Sequence, residues 1–238
     1  EWEKDMHMKT EALKIKGVPA LVWGEPADRL YLYIHGKLGC KEEAEAFARI
    51  ACLKGWQVMS FDLPGHGERQ GEAGRFFPWD ITPELEAVWE YAVNIWGGIA
   101  LRANSIGAWF AMQAYPDKPL EQALFVSPVL DMNKLIENMM LWAFVTPKQL
   151  EREKEIPTDF GETLSWKYYA YAREHPVSRW ACPTKILYAG RDNLTERDVV
   201  DAFCRRFSCR LTVMEDGEHW FHTEEQLAFL EGWEYKNI

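Results

Sequence analysis

The heptad Arg102–Ala108 is the segment of the 238-residue chain whose residue types and spacing point most directly to chemistry. Its central residue, Ser105, follows one short apolar run and precedes a second that begins at Ile106. A serine at a sharp strand-to-helix turn has an exposed hydroxyl, and the turn needs small residues two positions to either side, where the backbones crowd. Ala103 and Gly107 meet this requirement. The pattern predicts a nucleophilic serine, although short motifs of this kind also occur in ordinary turns whose serine is inert.

Alternating strand and helix patterns on both sides of this turn predict an α/β fold. Short apolar runs of strand length lie at residues 30–34, 58–61, 99–101, 123–126, 185–188 and 211–214. The longer segments between them place apolar residues three and four apart, as amphipathic helices do. A further pair of short runs, near residues 13–15 and 20–23, would add an antiparallel edge. This alternation is typical of a mostly parallel sheet flanked by helices.

One long segment, residues 129–180, interrupts the alternation. It has helical patterns but no strand pattern, and a connection of this length inside a domain is unusual unless it is functional. We therefore predict that residues 1–238 form one domain and that residues 129–180 form a helical lid inserted within it. The alternative is an ordinary pair of helices that connect two strands.

Three motifs together resemble the α/β-hydrolase superfamily. The run A-N-S-I-G at residues 103–107 is similar to its G-x-S-x-G turn, with alanine in place of the first glycine. His35 and Gly36 directly follow a predicted strand, where this superfamily places its oxyanion loop, and Asp62–Gly67 closely resembles its D-x-P-G-H-G turn. The resemblance covers nearly the whole chain and implies the α/β-hydrolase fold. It also implies a structural rather than a catalytic role for His66.

The resemblance further implies a catalytic triad in the order serine, acid, histidine. Asp192 lies in a G-x-D run after a predicted strand, where the superfamily has its acid, and His219 follows the last predicted strand, where it has its histidine. A hydroxyl nucleophile needs such a base, and the base needs the acid to orient it. Asp131, after the preceding strand, is the alternative acid, and His222 is the alternative base.

The implied oxyanion hole combines two backbone amides. The amide of Ile106 begins the helix after Ser105, and the amide of Lys37 or Leu38 would pair with it. Two converging N–H donors stabilise a tetrahedral intermediate by several kcal/mol. The resemblance therefore implies a carboxylesterase-type serine hydrolase that cleaves carboxylic esters through an acyl-enzyme, without a cofactor or a metal. Within the α/β-hydrolase superfamily, the chain is similar to the acyl esterases and to the monoacylglycerol-lipase-like members.

Aromatic residues are concentrated in two segments that we expect to border the substrate. Phe76, Phe77 and Trp79 lie in the loop after Gly67, and Trp142 lies in the predicted lid. Apolar and aromatic side chains line most small-molecule pockets, and this set would suit a short-chain or aromatic acyl group. The alternative is that these side chains pack the lid onto the rest of the domain.

Other functions of the same fold stay open at this point. A peptidase or amidase would bind the amine end of its substrate through acidic residues of the lid, which include Glu151, Glu153, Glu155, Asp159 and Glu162. A non-catalytic relative would use the pocket only to bind a ligand. The same triad also serves hydroxynitrile lyases, which the sequence does not separate from esterases.

The composition argues against several classes of partner. The chain has 27 Lys and Arg residues, 37 Asp and Glu residues and a net charge of −10, which disfavours nucleic-acid binding. No apolar stretch reaches the roughly 20 residues of a membrane span, and Glu1–Thr10 contains no apolar signal-peptide core. The five cysteines are scattered without a C-x-x-C pair, which favours a reduced, cytoplasmic protein. We expect a small-molecule ester as the partner, and an apolar lid surface would also allow a homodimer.

Overall fold

One eight-stranded sheet organises residues 8–238, the part of the chain that the computed structural model describes. The strands in chain order are β1 (Thr10–Ile15), β2 (Val18–Trp23), β3 (Arg29–Ile34), β4 (Gln57–Phe61), β5 (Gly98–Asn104), β6 (Ala123–Val126), β7 (Glu155–Pro157), β8 (Thr163–Ser165), β9 (Thr184–Ala189) and β10 (Arg210–Met214). The strand order in the sheet is β1-β2-β4-β3-β5-β6-β9-β10, while β7 and β8 form a separate hairpin.

The predicted strand pattern is confirmed. The six predicted apolar runs form the parallel strands β4, β3, β5, β6, β9 and β10. The further pair forms β1 and β2, which add the antiparallel edge. The β7–β8 hairpin differs from the prediction of a helical segment without strands. Its two strands have three residues each, which is too short for a strand periodicity to show in the sequence.

Helices cover the sheet. They are α1 (Ala44–Leu53), α2 (Pro78–Val93), α3 (Ile106–Ala114), α4 (Met132–Trp142), α5 (Pro147–Glu153), α6 (Trp166–Glu174), α7 (Arg197–Phe207) and α8 (Glu224–Asn237). Two 3₁₀ segments, Lys41–Glu43 and Gly67–Arg75, precede α1 and α2. Thr223 caps α8, because its hydroxyl accepts a hydrogen bond from the Gln226 amide at 3.2 Å.

Residues of β3 alternate between the two faces of the sheet and so between two apolar clusters. Leu30, Leu32 and Ile34 belong to the cluster that contains residues of α2, α3 and α7. Tyr31 and Tyr33 belong to the cluster that contains residues of α1 and α8. All five side chains are buried, so β3 is covered on both faces. A parallel sheet with helices on each side requires strands of this kind.

Between β6 and β9 the chain forms α4, α5, the β7–β8 hairpin and α6. The Tyr169 hydroxyl of α6 donates to the Glu137 carboxylate of α4 at 3.2 Å, which ties these two helices together. The helices expected within residues 129–180 are therefore present, together with one hairpin. That this segment acts as a lid stays a prediction.

A buried ion pair joins the C-terminal helix to the strand that leads to Ser105. Arg102 of β5 and Glu234 of α8 are 1% and 4% exposed. Arg102 Nε and Nη2 lie 2.8 and 2.7 Å from Glu234 Oε1. Arg102 Nη1 also donates to Asn104 Oδ1 at 2.6 Å, and Asn104 immediately precedes Ser105. The pair thus fixes α8 against the strand end from which Ser105 follows.

The helix after Ser105 approaches the end of β3 so closely that residue 107 has no room for a side chain. A β-carbon on Gly107 would lie 2.5 Å from the His35 oxygen and 2.8 Å from the Ile34 oxygen. Both contacts are with backbone atoms, which cannot move aside as a flexible side chain can. Glycine is therefore required at this position for steric reasons.

We expect Glu234→Ala to lower the free energy of unfolding by about 3–5 kcal/mol, because it leaves the Arg102 guanidinium buried without a counter-charge. Replacing both partners, by Arg102→Met together with Glu234→Leu, removes both charges and should cost far less. Denaturant titrations of the wild type and the two variants measure both values. A single variant as stable as the double variant would contradict this assignment of the pair.

Gly107→Ala is expected to lower the free energy of unfolding by about 1–3 kcal/mol, because the β3 backbone must shift to admit a methyl group. Gly232 of α8 is the matched control, since it is exposed and a β-carbon there would meet no atom within 4 Å. Gly232→Ala should raise the free energy of unfolding by about 0.5–1 kcal/mol, as expected for an open helix position. Two changes of the same sign in thermal or denaturant unfolding would refute the packing argument.

Candidate active site

Ser105 lies at the turn between β5 and α3 in a backbone conformation that few residues other than glycine adopt. Its φ is 47° and its ψ is −122°. Its amide donates to the Val126 oxygen at 3.0 Å, and its oxygen accepts from the amides of Val129 and Ala108 at 3.0 and 3.1 Å. Such a conformation costs about 1–3 kcal/mol, and it persists because the surrounding backbone holds it. The Ser105 side chain is half-buried at this turn.

His219 and Asp192 continue a chain of hydrogen bonds that starts at the Ser105 hydroxyl. His219 Nε2 lies 2.9 Å from Ser105 Oγ, and His219 Nδ1 lies 2.8 Å from Asp192 Oδ2. Because Nδ1 faces a carboxylate, it carries the proton and donates a hydrogen bond to Asp192. Nε2 therefore has its lone pair free and accepts a hydrogen bond from the Ser105 hydroxyl. The structure therefore brings the predicted serine, acid and histidine together in the connectivity of a catalytic triad.

Asp192 is fixed by donors on both of its carboxylate oxygens. Its side chain is 0% exposed, so each oxygen must find its partners within the protein. In addition to the contact of Oδ2 with His219, Oδ1 accepts hydrogen bonds from the amides of Leu194 and Thr195 at 2.7 and 3.1 Å. These donors hold the carboxylate in one orientation toward the imidazole.

Backbone hydrogen bonds between the loops after β9 and β10 set the distance between the acid and the histidine. The Gly190 amide donates to the Met214 oxygen at 2.8 Å, and the Arg191 amide donates to the Gly217 oxygen at 2.9 Å. Because β9 and β10 are parallel neighbours, these loops leave the sheet side by side. The histidine loop is thereby held against the acid loop.

The alternative acid and base have other partners. Asp131 caps α4, since its Oδ1 accepts from the Lys134 amide at 3.0 Å. His222 Nδ1 donates to the Trp220 oxygen at 2.7 Å. Within residues 8–238, neither side chain makes a hydrogen bond to Ser105. The geometry thus favours the first-choice residues of the sequence prediction over the alternatives.

The loop of residues 35–39, which we call the oxyanion loop, passes beside Ser105. A β-carbon on Gly36 would lie 3.2 Å from Ser105 Cβ. The Leu38 amide donates to His66 Nε2 at 3.0 Å, so it is not available to an oxyanion, and this removes Leu38 from the predicted set. Of the two predicted amides, that of Lys37 has no hydrogen-bond acceptor among residues 8–238, so it is the candidate donor of this loop.

The Ile106 amide is the second candidate donor. Ile106 is the first residue of α3. The first amides of a helix have no acceptor within the helix, and they lie at the positive end of its dipole. Lys37 and Ile106 therefore offer amides from the two segments that adjoin Ser105.

The Lys37 side chain connects the oxyanion loop to the β7–β8 hairpin, a contact that sequence reasoning missed. Its Nζ forms an ion pair with Glu162, the residue before β8, and both side chains are partly exposed. Exposed ion pairs contribute about 0–1 kcal/mol, so this contact orients the two segments more than it stabilises them. No sequence motif links two residues 125 positions apart.

Three of the predicted substrate residues pack between segments of the protein. Phe77 and Trp79 stack with centroids 4.7 Å apart, and their rings lie 5.7 and 6.0 Å from that of Tyr168 in α6. Phe76 packs edge-on against Phe110 of α3 at 5.5 Å. These contacts support the alternative that the aromatic residues pack the inserted segment onto the domain. A role in substrate binding stays a prediction.

Trp142, the fourth predicted substrate residue, lies at the surface. It ends α4, is 46% exposed, and its ring lies 6.1 Å from that of Phe160 in the turn of the β7–β8 hairpin.

No helix within residues 8–238 has the length and apolarity of a membrane span. The side chains of the same residues form no group of three or more His, Cys, Asp or Glu that is suited to a metal ion.

Comparison with known proteins identifies the fold. No family model matches the chain, and no curated protein matches it. Among solved structures, the chain resembles Est1E from Butyrivibrio proteoclasticus with bound ferulic acid, with a TM-score of 0.78 at 17% identity over 95% of this chain and 97% of that one. It also resembles alpha/beta hydrolase domain-containing protein 10 from mouse, with a TM-score of 0.77 at 14% identity over 94% and 96%.

A third similar structure is TT1662 from Thermus thermophilus, with a TM-score of 0.67 at 21% identity over 96% of this chain and 99% of that one. All three likenesses extend over nearly the whole length of both chains. They agree with the eight-stranded, mostly parallel sheet and its covering helices. This protein has the α/β-hydrolase fold, as its motifs predict.

Proposed function

We propose that this protein is a serine hydrolase that cleaves carboxylic esters through an acyl-enzyme intermediate. The observation that carries the proposal is the hydrogen-bonded chain from Ser105 Oγ through His219 to Asp192, with distances of 2.9 and 2.8 Å. Ser105 is the nucleophile, His219 is the general base, and Asp192 orients the imidazole. Est1E, which this chain resembles, was solved with a carboxylic acid bound, the kind of product that ester hydrolysis releases, and this supports the same class of reaction.

In the acylation step, His219 Nε2 takes the hydroxyl proton while Ser105 Oγ attacks the ester carbonyl carbon. Asp192 accepts from Nδ1–H and stabilises the imidazolium that forms. The amides of Lys37 and Ile106 donate to the oxyanion of the tetrahedral intermediate. The imidazolium then returns its proton to the alkoxy oxygen as the carbon–oxygen bond breaks, so the alcohol leaves and Ser105 carries the acyl group.

Deacylation repeats these steps with water as the nucleophile. His219 Nε2 takes a proton from the water, whose oxygen attacks the acyl carbonyl carbon. The same two amides stabilise the second oxyanion. When this intermediate collapses, the proton on His219 passes to Ser105 Oγ, and the carboxylic acid is released.

For the substrate we propose esters of short-chain or aromatic acids. One observation supports this class: Est1E, among the structures that this chain resembles, was solved with the aromatic acid ferulic acid bound. Parallel rate measurements on p-nitrophenyl acetate, p-nitrophenyl octanoate and a hydroxycinnamate ester should show kcat/KM highest for the acetate or the hydroxycinnamate. Equal values for all three acyl groups, or a preference for octanoate, would contradict this substrate class.

We expect Ser105→Ala and Asp192→Asn each to lower kcat/KM for p-nitrophenyl acetate on the order of 10⁴-fold, because one removes the nucleophile and the other the group that fixes the imidazole tautomer. Circular dichroism and the thermal midpoint should show that both variants stay folded. Asp131→Asn is the matched control for the acid, and His222→Gln, compared with His219→Gln, is the matched control for the base. Activity that survives in Ser105→Ala, or that is lost in Asp131→Asn, would overturn the assignment.

A further inference from the structure

Two buried histidines outside the triad connect the oxyanion loop to the loop after β4. His35 Nε2 accepts a hydrogen bond from the Leu63 amide at 3.1 Å, and His66 Nε2 accepts one from the Leu38 amide at 3.0 Å. Each loop thus supplies a histidine that accepts from a backbone amide of the other loop. We call these four residues the histidine clasp. Its two rings lie 5.1 Å apart, and His35 and His66 are 0% and 8% exposed.

Both rings of the histidine clasp are neutral, with the proton on Nδ1. His35 Nδ1 donates to the Gly36 oxygen at 2.7 Å, and His66 Nδ1 donates to the Pro64 oxygen at 2.9 Å. A ring nitrogen that faces a carbonyl oxygen carries the proton, so Nε2 keeps its lone pair for the amide. Burial lowers the pKa of His35 to about 4, which keeps that ring neutral at neutral pH.

The histidine clasp restrains the two peptide groups on either side of Lys37. In the first of these peptides the Gly36 oxygen accepts from His35, and in the second the Leu38 amide donates to His66. A trans peptide is planar, and its C=O and N–H point in opposite directions. Because the Gly36 oxygen points toward the His35 ring, the Lys37 N–H points away from it. The clasp therefore determines the direction of the Lys37 amide, the candidate donor of this loop to an oxyanion.

The backbone of Leu38 explains why the loop needs this restraint. Its φ of 67° lies in the left-handed region, which is unfavourable for a residue with a β-carbon. Its side chain is 89% exposed, so packing does not hold it in place. Two hydrogen bonds hold the backbone there instead. The Leu38 amide donates to His66, whose ring centroid lies 4.6 Å from that of Phe76, and the Gly39 amide donates to the Gly36 oxygen at 3.2 Å.

We propose that His66 is a positioning residue of the oxyanion hole, which acts through the Leu38 amide to direct the Lys37 amide at the carbonyl oxygen of an ester bound at Ser105. The inference rests on the proposed hydrolase function, because it assigns Lys37 a task in that reaction. It goes further than a structural role for His66. A positioning role requires that losing the Nε2 acceptor slows the chemical step without weakening substrate binding.

His66→Phe tests the proposal, since phenylalanine keeps an aromatic ring beside Phe76 but cannot accept from the Leu38 amide. We expect kcat to fall on the order of 10²-fold, as for the loss of one oxyanion donor, with KM nearly unchanged. His66→Gln should recover most of this loss, because its amide oxygen can accept from Leu38. His175→Phe, at an exposed histidine, should leave kcat unchanged. Wild-type kcat in folded His66→Phe would overturn the proposal.

Inhibition by phenylboronic acid separates positioning from a general loss of folded enzyme. Its tetrahedral adduct on a serine places an oxygen where the oxyanion of the ester reaction forms. In His66→Phe the inhibition constant should therefore rise by the same factor by which kcat/KM falls. A smaller fraction of folded enzyme would lower the measured rate but leave the inhibition constant unchanged, and that result would refute the positioning role.

The wild-type protein offers a readout that needs neither activity nor a variant. A hydrogen bond between two nitrogens transmits a nitrogen–nitrogen scalar coupling, so NMR of the ¹⁵N-labelled protein should detect a coupling between the Leu38 amide and His66 Nε2. Absence of this coupling would overturn the histidine clasp even in an active enzyme. If the coupling is present but the wild type hydrolyses no ester, the proposed function fails, and the clasp stands only as structure.

Discussion

The strained backbone at Ser105 is the constraint on which the rest of the site depends. A φ of 47° persists there because the segment after β5 is held at its amide by β6 and at its oxygen by α3 and the loop after β6. The same turn brings α3 within contact of the end of β3, which leaves no room for a β-carbon at Gly107. Gly36 also lies against Ser105. Glycine at position 107 therefore follows from a close approach of two backbones, whereas Gly36 leaves room for the Ser105 side chain beside it.

The strand order places the other residues of the candidate site beside this turn. The strands β3, β5, β9 and β10 run parallel and end at the same edge of the sheet, so the loops that follow them bring Lys37, Ser105, Asp192 and His219 together. The carboxyl end of β4 lies on the same side of the sheet as those of its parallel neighbours, and the loop that follows β4 supplies His66. Ligands of open parallel sheets bind at this edge for the same reason. Buried hydrogen bonds then fix each loop relative to its neighbours, as those between the oxyanion and β4 loops illustrate.

Local signals in the sequence predict part of this arrangement, and the remainder depends on contacts between distant segments. The turn at Ser105 and the sheet strands can be predicted because small residues and short apolar runs are local features. The local sequence does not indicate whether the amide of Lys37 or that of Leu38 is free to bind an oxyanion, because the Leu38 amide is occupied by His66, a histidine 28 residues further along the chain. The pairing of Arg102 with Glu234 spans 132 residues and requires knowing that α8 lies against β5. The strands of the β7–β8 hairpin have three residues each, which is too short for the alternation of apolar and polar residues that predicts a strand.

Labelling of the folded protein with a fluorophosphonate tests most directly whether Ser105 is an activated nucleophile. Intact-mass spectrometry should find one adduct per chain, and peptide mapping should locate it on Ser105. His219→Ala, folded but without the base, should form no adduct under the same conditions, because its serine hydroxyl keeps its proton. No adduct on the folded wild-type protein, or an adduct on another residue, would contradict the triad.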